Sequence, residues 1–420
     1  MFRSHSQALA RRLPDLLDRI SYRLGRLGTA AAVIARAIGV DERDPSAHIT
    51  LGDALEALGH LDQAASSYAR STELDPDSIT AYLKLSTVLR DAGRHGEADA
   101  SFGSALERQP RLAEDFFLLA NGYLALGRPD DAMASYREAL SLDSEYAHQH
   151  YWRGVSLQLR GRRPDAVRMV TWGLTLNPDH PELAYILQAI EGASSQARAP
   201  DDYITHHFDR FAETFDSILE GKLRYRTPRH LLDAIRRAAG KNGKFDVLDI
   251  GCGTGLCGPL LRPLARRLVG VDLSPKMVDK ARERGVYDEL RIGELTAALA
   301  EKRAAYDLIV SADVLVYFGD LTPVFVAVAR ALRPNGIFAF SVERFDGPGF
   351  VLRTSGRYAH SAAYLREVAR LAGLDEASLD ERPLRIESNS LVRGYVGVYR
   401  QAQRALRAGA TRRLVGSPGR

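Results

Sequence analysis

The sequence predicts two folds in one chain: a helical repeat solenoid, then an α/β domain with a doubly wound, mostly parallel sheet of seven strands. Three observations predict it. Landmark residues recur every 34 positions through the first half. After about residue 200 the pattern changes from helix alone to alternating strand and helix. A glycine-rich loop directly follows the first of those strands.

Composition bounds the reading before any motif does. A chain of 420 residues has room for two or three domains, and 45% hydrophobic with 26% charged residues is the balance of a soluble globular protein. A net charge of +4 over that length is a weak field and makes no case for nucleic acid. The tail after Tyr399 carries Arg400, Arg404, Arg407, Arg412, Arg413 and Arg420 without an acidic residue, which reads as a solvated terminus or an electrostatic tether to an acidic partner. Cys252 and Cys257 are the only cysteines, so there is neither a disulfide framework nor a paired-cysteine zinc site. No secretory pattern opens the sequence, and no uncharged apolar run approaches a membrane span. The expectation is a cytoplasmic protein with no membrane partner.

In the first half, Gly59, Gly93, Gly127 and Gly161 repeat at steps of 34, as do Ala64, Ala98, Ala132 and Ala166. Tyr68, Phe102, Tyr136 and Val170 keep the same step, and so do the small residues Gly52, Ser86, Ala120 and Gly154. The small residues let two antiparallel helices approach closely. Each Gly supplies the positive φ that ends the first helix, and the large apolar residue fills the groove between repeats. Asp75-Pro76 and Asn177-Pro178 stop the second helices of the first and fourth units. A step of 34 with this pattern resembles the tetratricopeptide repeat over about residues 46–178. Gly25, Ala30 and Ile34 fall in phase as a degenerate earlier unit, and a helix from Glu182 to Ile190 is expected to cap the array. Such arrays hold a protein or peptide in a concave groove, or serve homodimerisation; the repeat alone does not choose.

The expected organisation is therefore N-terminal helices over 1–45, repeats with their cap over 46–191, and a linker over 192–202. An α/β domain over 203–400 and a basic tail over 401–420 follow. In that domain the first strand is Phe245 to Ile250, running into Gly251-Cys252-Gly253-Thr254-Gly255 and a helix through Pro259 to Arg267. The second strand, Arg267 to Val271, ends on Asp272, and a third precedes Gly293-Glu294. Later strands are expected over Asp307 to Ser311, Ile337 to Val342, about Leu384 to Ser388, and Gly394 to Tyr399.

A glycine-rich loop after a first strand also occurs in nicotinamide dehydrogenases. Here the spacing is G-x-G-x-G with Leu at 256, and Asp249 stands two residues before the first Gly, which argues against a nicotinamide oxidoreductase. With Val271-Asp272-Leu273-Ser274, Gly293-Glu294, Tyr306 to Asp313 and Ala331 to Gly336 in order, residues 203–400 resemble the class I, Rossmann-like, S-adenosylmethionine-dependent methyltransferases.

The resemblance implies S-adenosylmethionine as cofactor, S-adenosylhomocysteine as product, and no metal. Gly251, Cys252, Gly253 and Gly255 would let the backbone approach the methionyl part. Asp249 would accept from its ammonium, Asp272 would grip the ribose hydroxyls, and Leu273 would lie on the adenine. Glu294, or the backbone around it, would meet the adenine amino group, and Asp313 would stand near the reactive methyl. Phe208, Phe211 and Phe215, at spacings of 3 and 4, form an aromatic stripe on a helix before the first strand; with Tyr203 and His207 the segment is a lid over the cofactor, a packed amphipathic helix, or both.

Methyl transfer is an in-line displacement on an already activated carbon, so a base is needed only where the acceptor must lose a proton. His206, His207, His360 and Tyr317 are the candidates. Ala312-Asp313-Val314-Leu315 stands where methyltransferases acting on exocyclic base nitrogens carry Asn/Asp-Pro-Pro-Tyr/Phe, and no cysteine nucleophile lies outside the loop. What remains is a small-molecule or carrier-bound acceptor. The alternatives are a protein methyltransferase that holds its target in the repeat groove, and a non-catalytic scaffold that senses S-adenosylmethionine.

Overall fold

The computed structural model describes residues 43–143, 146–159, 161–192, 197–217, 219, 225–239, 244–300, 302–387 and 390–402. The in-phase Gly25, Ala30 and Ile34, most of the segment 1–45 and nearly all of the basic tail lie outside these residues. The chain divides into two compact units, residues 1–193 with 220–222, and residues 194–219 with 223–420.

Among the described residues the first unit is four helix pairs and a cap. The pairs are α1 Pro45–Ala57 with α2 Leu61–Leu74, and α3 Ile79–Asp91 with α4 His95–Leu106. Next come α5 Ala113–Ala125 with α6 Pro129–Leu142, then α7 Tyr146–Leu159 with α8 Arg163–Leu176, and the cap α9 Pro181–Glu191. The recurrent glycines do what their spacing predicts. Gly59, Gly93, Gly127 and Gly161 have φ of 79°, 79°, 70° and 74°. One residue on, His60, Arg94, Arg128 and Arg162 donate their N–H groups to Leu55, Leu89, Tyr123 and Leu157, at 2.8–2.9 Å. This six-residue closure satisfies helix-end carbonyls that the helix itself leaves free.

Between the helices, Tyr68, Phe102, Tyr136 and Val170 are essentially fully buried. A Cβ at Gly52 would stand 2.4 Å from the Tyr68 ring, which is why the helix contact needs a residue without a side chain. Lys84 on α3 bridges Asp53 on α1 at 3.2 Å and Glu114 on α5 at 2.9 Å, tying three successive repeats together.

In the second unit the sheet order is β3–β2–β1–β4–β5, with all four of these neighbouring pairs parallel. The strands are β1 Phe245–Ile250, β2 Ala265–Asp272, β3 Glu289–Ile292, β4 Tyr306–Ser311 and β5 Leu332–Arg344. The short pair β6 Phe350–Leu352 and β7 Tyr358–His360 follows, then the long pair β8 Leu374–Glu387 and β9 Ser390–Gln401. β9 lies antiparallel to β5, and β8 pairs with β9. Helices α10 Asp201–Phe211, α11 Thr227–Ala239, α12 Pro275–Glu283, α13 Leu295–Ala300, α14 Thr322–Ala331 and α15 Ala362–Ala372 complete the unit. Leu231 and Ile235 of α11 pack into a core with Val247, Leu308, Val310, Ala339 and Val398 from four strands. That burial makes these strands read as apolar runs.

Several expectations are corrected. The expected mostly parallel sheet is present, and the three-residue β6 and β7, too short for a periodicity to reveal, bring it to nine strands among the described residues. The helix expected through Pro259 to Arg267 is one turn, Gly258–Leu261, followed by a 3₁₀ turn and then β2. The expected linker over 192–202 is also too long. Ala199 donates to the Tyr317 carbonyl at 2.8 Å, Gly319 donates to Ala197, and α10 already starts at Asp201.

Replacing Gly52 with Val is expected to destabilise the repeat unit by about 1–3 kcal/mol through overpacking against Tyr68. Urea unfolding followed by far-ultraviolet circular dichroism measures it, as a lowered midpoint at unchanged slope.

Candidate active site

The glycine loop begins where β1 ends. The N–H groups of Gly251 and Cys252 both donate to the Val271 carbonyl, at 2.7 and 3.0 Å, fastening the loop to β2. The loop then turns through Gly251, Gly253 and Gly255 with φ of 70°, 54° and 85°, a region that side chains disfavour. At Gly251 space excludes a side chain as well, since a Cβ would stand 2.1 Å from Val314. The thiols of Cys252 and Cys257 are buried, and burial first, then nearby carboxylates, pushes both well above the ordinary thiol range. They stay protonated and are no nucleophiles.

Two carboxylates flank this loop. Asp249 is 1% exposed, and the Tyr287 hydroxyl donates to its Oδ2 at 2.7 Å. Its Oδ1 is buried with no hydrogen-bond partner. Burial, helped by the nearby Asp272 and opposed by the Tyr287 hydrogen bond, raises the Asp249 pKa to about 7. Asp272, the last residue of β2, accepts from Gly253 N–H through Oδ2 at 2.8 Å and from Ser274 N–H through Oδ1 at 2.9 Å. Burial raises its pKa too, against these backbone donors. Each Asp272 oxygen keeps a second lone pair, so two hydroxyls can still be gripped.

The aromatic segment lies across the loop. α10 ends at Phe211, so Phe208 and Phe215 share no helix; Phe215 sits in a separate turn, Phe215–Ser217. The two rings still meet, with centroids 6.0 Å apart. Phe215 comes within 3.9 Å of where a Cβ would stand on Gly253. Tyr203 is buried beneath, and the His207 ring lies among Tyr203, Phe208 and Phe211. Residues that the sequence reading missed hold this segment down. Asp216 takes hydrogen bonds from the Thr254 hydroxyl, at 2.5 Å, and from Arg284. Asp209 accepts from the Ser274 hydroxyl at 2.5 Å. None of these, nor Tyr287, has a local sequence signal, because each partner lies at least 30 residues away.

Beyond the loop, at the ends of β4 and β5, lies a charged cluster. Asp313 has φ of 55°, a strained backbone for a residue with a Cβ. Its Oδ1 accepts from Ser341 at 2.6 Å, and Oδ2 lies 3.5 Å from Arg385. Arg385 is nearly buried and also pairs with Glu343 and Glu387. The Tyr317 ring meets Phe208 edge-on at 5.6 Å, and its hydroxyl bonds Arg357. Burial works against the charge on Arg357, but Tyr317, Glu387 and Glu343 hold its pKa well above the usual arginine range.

Three of the expected site residues are engaged by the protein itself. His360 is fully buried on β7, with Nε2 3.1 Å from the Gly319 carbonyl, and burial lowers its pKa to about 4. It is a neutral core residue and not an accessible base. The Glu294 carboxylate accepts from Thr296 and from Ala297 N–H, capping α13, and pairs with Arg198 at 2.9 Å, so its side chain is engaged in structure. Asp313, expected near the reactive methyl, has its carboxylate engaged by Ser341, Thr227 and Arg385. The structure brings together Asp249, Gly251, Cys252, Gly253, Gly255, Asp272 and Phe215, with half-buried Leu273 following Asp272 in the chain.

A doubly wound sheet with a glycine loop and acidic residues at the ends of its first two strands defines a Rossmann-like nucleoside-binding domain. Residues 248–340 match the family model for a methyltransferase domain. Residues 19–79, 113–146 and 147–170 match tetratricopeptide repeat models, the first of which reaches into the segment 1–45. A malonyl-[acyl-carrier protein] O-methyltransferase of Acetivibrio thermocellus is 31% identical over 137 residues, 32% of this chain and 47% of that protein. A ubiquinone biosynthesis O-methyltransferase of Xanthomonas axonopodis pv. citri is 30% identical over 137 residues, 31% of this chain and 57% of its own length. The chain thus spans about half the length of these curated relatives. Among solved structures, a Burkholderia thailandensis 1,6-didemethyltoxoflavin-N1-methyltransferase shares 19% identity at a TM-score of 0.36, over 47% of this chain and 90% of that one. The chain therefore carries a Rossmann-like methyltransferase domain behind tetratricopeptide repeats. No helix among the described residues is long and apolar enough to cross a membrane.

The raised pKa of Asp249 makes a testable demand. A carboxyl whose folded value lies above its ordinary 3.8 keeps a proton that the unfolded chain gives up, so its contribution to stability falls as pH rises from there to about 7. To meet an ammonium it must lose that proton. Affinity for S-adenosylhomocysteine is expected to rise about tenfold per pH unit below about 7 and to level off above it. Asp249→Asn should bind more weakly and lose that slope; a slope retained in the variant would assign it to another group.

Proposed function

We propose that the second domain transfers a methyl group from S-adenosylmethionine to a small-molecule or carrier-bound acceptor, and that the repeats hold a protein partner. One observation carries the reading: Asp249 and Asp272 flank a glycine loop too tight for side chains, and Asp249 offers a buried, unpartnered Oδ1. That donor set fits the cofactor. Asp249 would meet the ammonium, Asp272 the ribose hydroxyls, and Leu273 the adenine. The cofactor supplies an electrophilic methyl on a sulfonium.

The chain's own residues position and exclude. Gly251, Gly253 and Gly255 hold the backbone close, and Phe208 and Phe215, fastened through Asp216 and Arg284, keep water from the loop. Tyr317, bonded to Arg357, is one candidate to orient an acceptor oxygen and take its proton, beside His206 and His207. An oxygen acceptor is favoured because both curated relatives named above are O-methyltransferases, one of them acting on a carrier-bound acid.

The test incubates the full-length protein with methyl-labelled S-adenosylmethionine and oxygen acceptors, free and carrier-bound, and measures label transfer and S-adenosylhomocysteine formed. Asp272→Ala is expected to weaken cofactor binding by about 2–4 kcal/mol as two charge-assisted hydrogen bonds disappear. Unchanged affinity would remove Asp272 from the ribose. Tight cofactor binding with no transfer to any acceptor would instead support the sensing scaffold.

A further inference from the structure

A set of metal-ligand side chains lies in the repeat unit, which the methyl-transfer reading leaves unused. His148 on α7, His180 just before α9 and Glu182 on α9 bring two imidazole nitrogens and one carboxylate oxygen within 4.8 Å of one another. All three residues are buried, at 4%, 7% and 0% exposure. The Nδ1 of His148 is 2.7 Å from Oε2 of Glu182, and the His148 and His180 rings lie 21° from parallel with centroids 6.3 Å apart. Tyr151 stacks on His148, and Trp152 meets it edge-on. Aromatic packing therefore restricts the imidazole that faces the carboxylate.

The position has a mechanical meaning. A solenoid needs an end piece that covers its last repeat, and α9 does this with Leu183, Tyr185, Ile186, Ala189 and Ile190. His180 and Glu182 stand at the start of that cap, and His148 stands on the first helix of the last repeat. Two imidazoles and a carboxylate are the donor set of zinc-type ions, whereas magnesium and calcium prefer oxygen alone.

We propose that His148, His180 and Glu182 bind one divalent transition-metal ion, zinc by preference, which clamps the cap helix to the last repeat. Ion–ligand distances of about 2.0–2.2 Å put tetrahedral ligand atoms roughly 3.4 Å apart. The spacings in the structure, 2.7 Å for one pair and no more than 4.8 Å for the others, reach this by small rotations. A water completes the fourth position. The residues are 32 and two positions apart, so no sequence spacing announces them, and the sequence reading accordingly expected no metal.

The rival is a metal-free hydrogen-bonded pair of His148 and Glu182. To separate them, the full-length protein is stripped with a chelator and titrated with Zn²⁺, Co²⁺ and Mg²⁺, and the His180→Asn and Glu182→Gln variants are treated alike. The proposal expects one equivalent of Zn²⁺ bound and a Tm raised by several degrees, with no response to Mg²⁺. It also expects visible d–d absorption with Co²⁺. Both variants should lose the Zn²⁺-induced rise in Tm and the cobalt band, while affinity for S-adenosylhomocysteine is unchanged. A wild-type protein with no cobalt band and no Tm response overturns the proposal, whether or not the variants fold. So does a response that both variants retain in full, which would mark metal bound elsewhere.

Discussion

Two buried carboxylates at the ends of adjacent parallel strands govern the second domain. Burial raises the cost of ionising both; Asp272 adds to it at Asp249 and Asp209 adds to it at Asp272, and only hydrogen bonds from Tyr287, Gly253, Leu273 and Ser274 offset it. A site built this way favours a ligand that brings positive charge to one carboxylate and hydroxyls to the other. The glycine loop follows from the same demand. Its backbone N–H groups must reach Val271 and Asp272, which requires turns that a Cβ would block at Val314. The aromatic segment closes over the loop through Asp216, Thr254 and Arg284.

In the repeat unit the governing constraint is distance between helices. Gly52 against Tyr68 and Gly154 against Val170 allow close approach. The buried Lys84, answered by carboxylates on both flanking repeats, adds a fixed register along the array. Such contacts join each repeat only to its neighbours, so the array depends on how its ends are closed.

Much of this was legible in the sequence because it is periodic or contiguous. The 34-residue step located the glycine that ends the first helix of each repeat, and the Asp249-to-Gly255 run with Asp272 located the glycine loop and the two carboxylates that flank it. What was not legible depends on contacts that the fold makes between distant positions. Tyr287 reaches Asp249 across 38 residues, and Asp209 reaches Ser274 across 65. His360 looked like a base because a histidine on a substrate-side loop is a reasonable guess. It lies instead in a three-residue strand, and its burial could be seen only once Gly319 stood beside it. Glu294 stands beside the third strand as expected, and a helix cap and Arg198 engage its carboxylate, which leaves the backbone around it to meet a ligand.

The most direct test of the central claim is calorimetric titration of the full-length protein at neutral pH with S-adenosylhomocysteine, and separately with NAD. The account predicts one site of micromolar affinity for the first and no heat from the second. Absence of binding by S-adenosylhomocysteine, or comparable binding of NAD, would contradict the assignment of the two carboxylates and the glycine loop to a methyl donor.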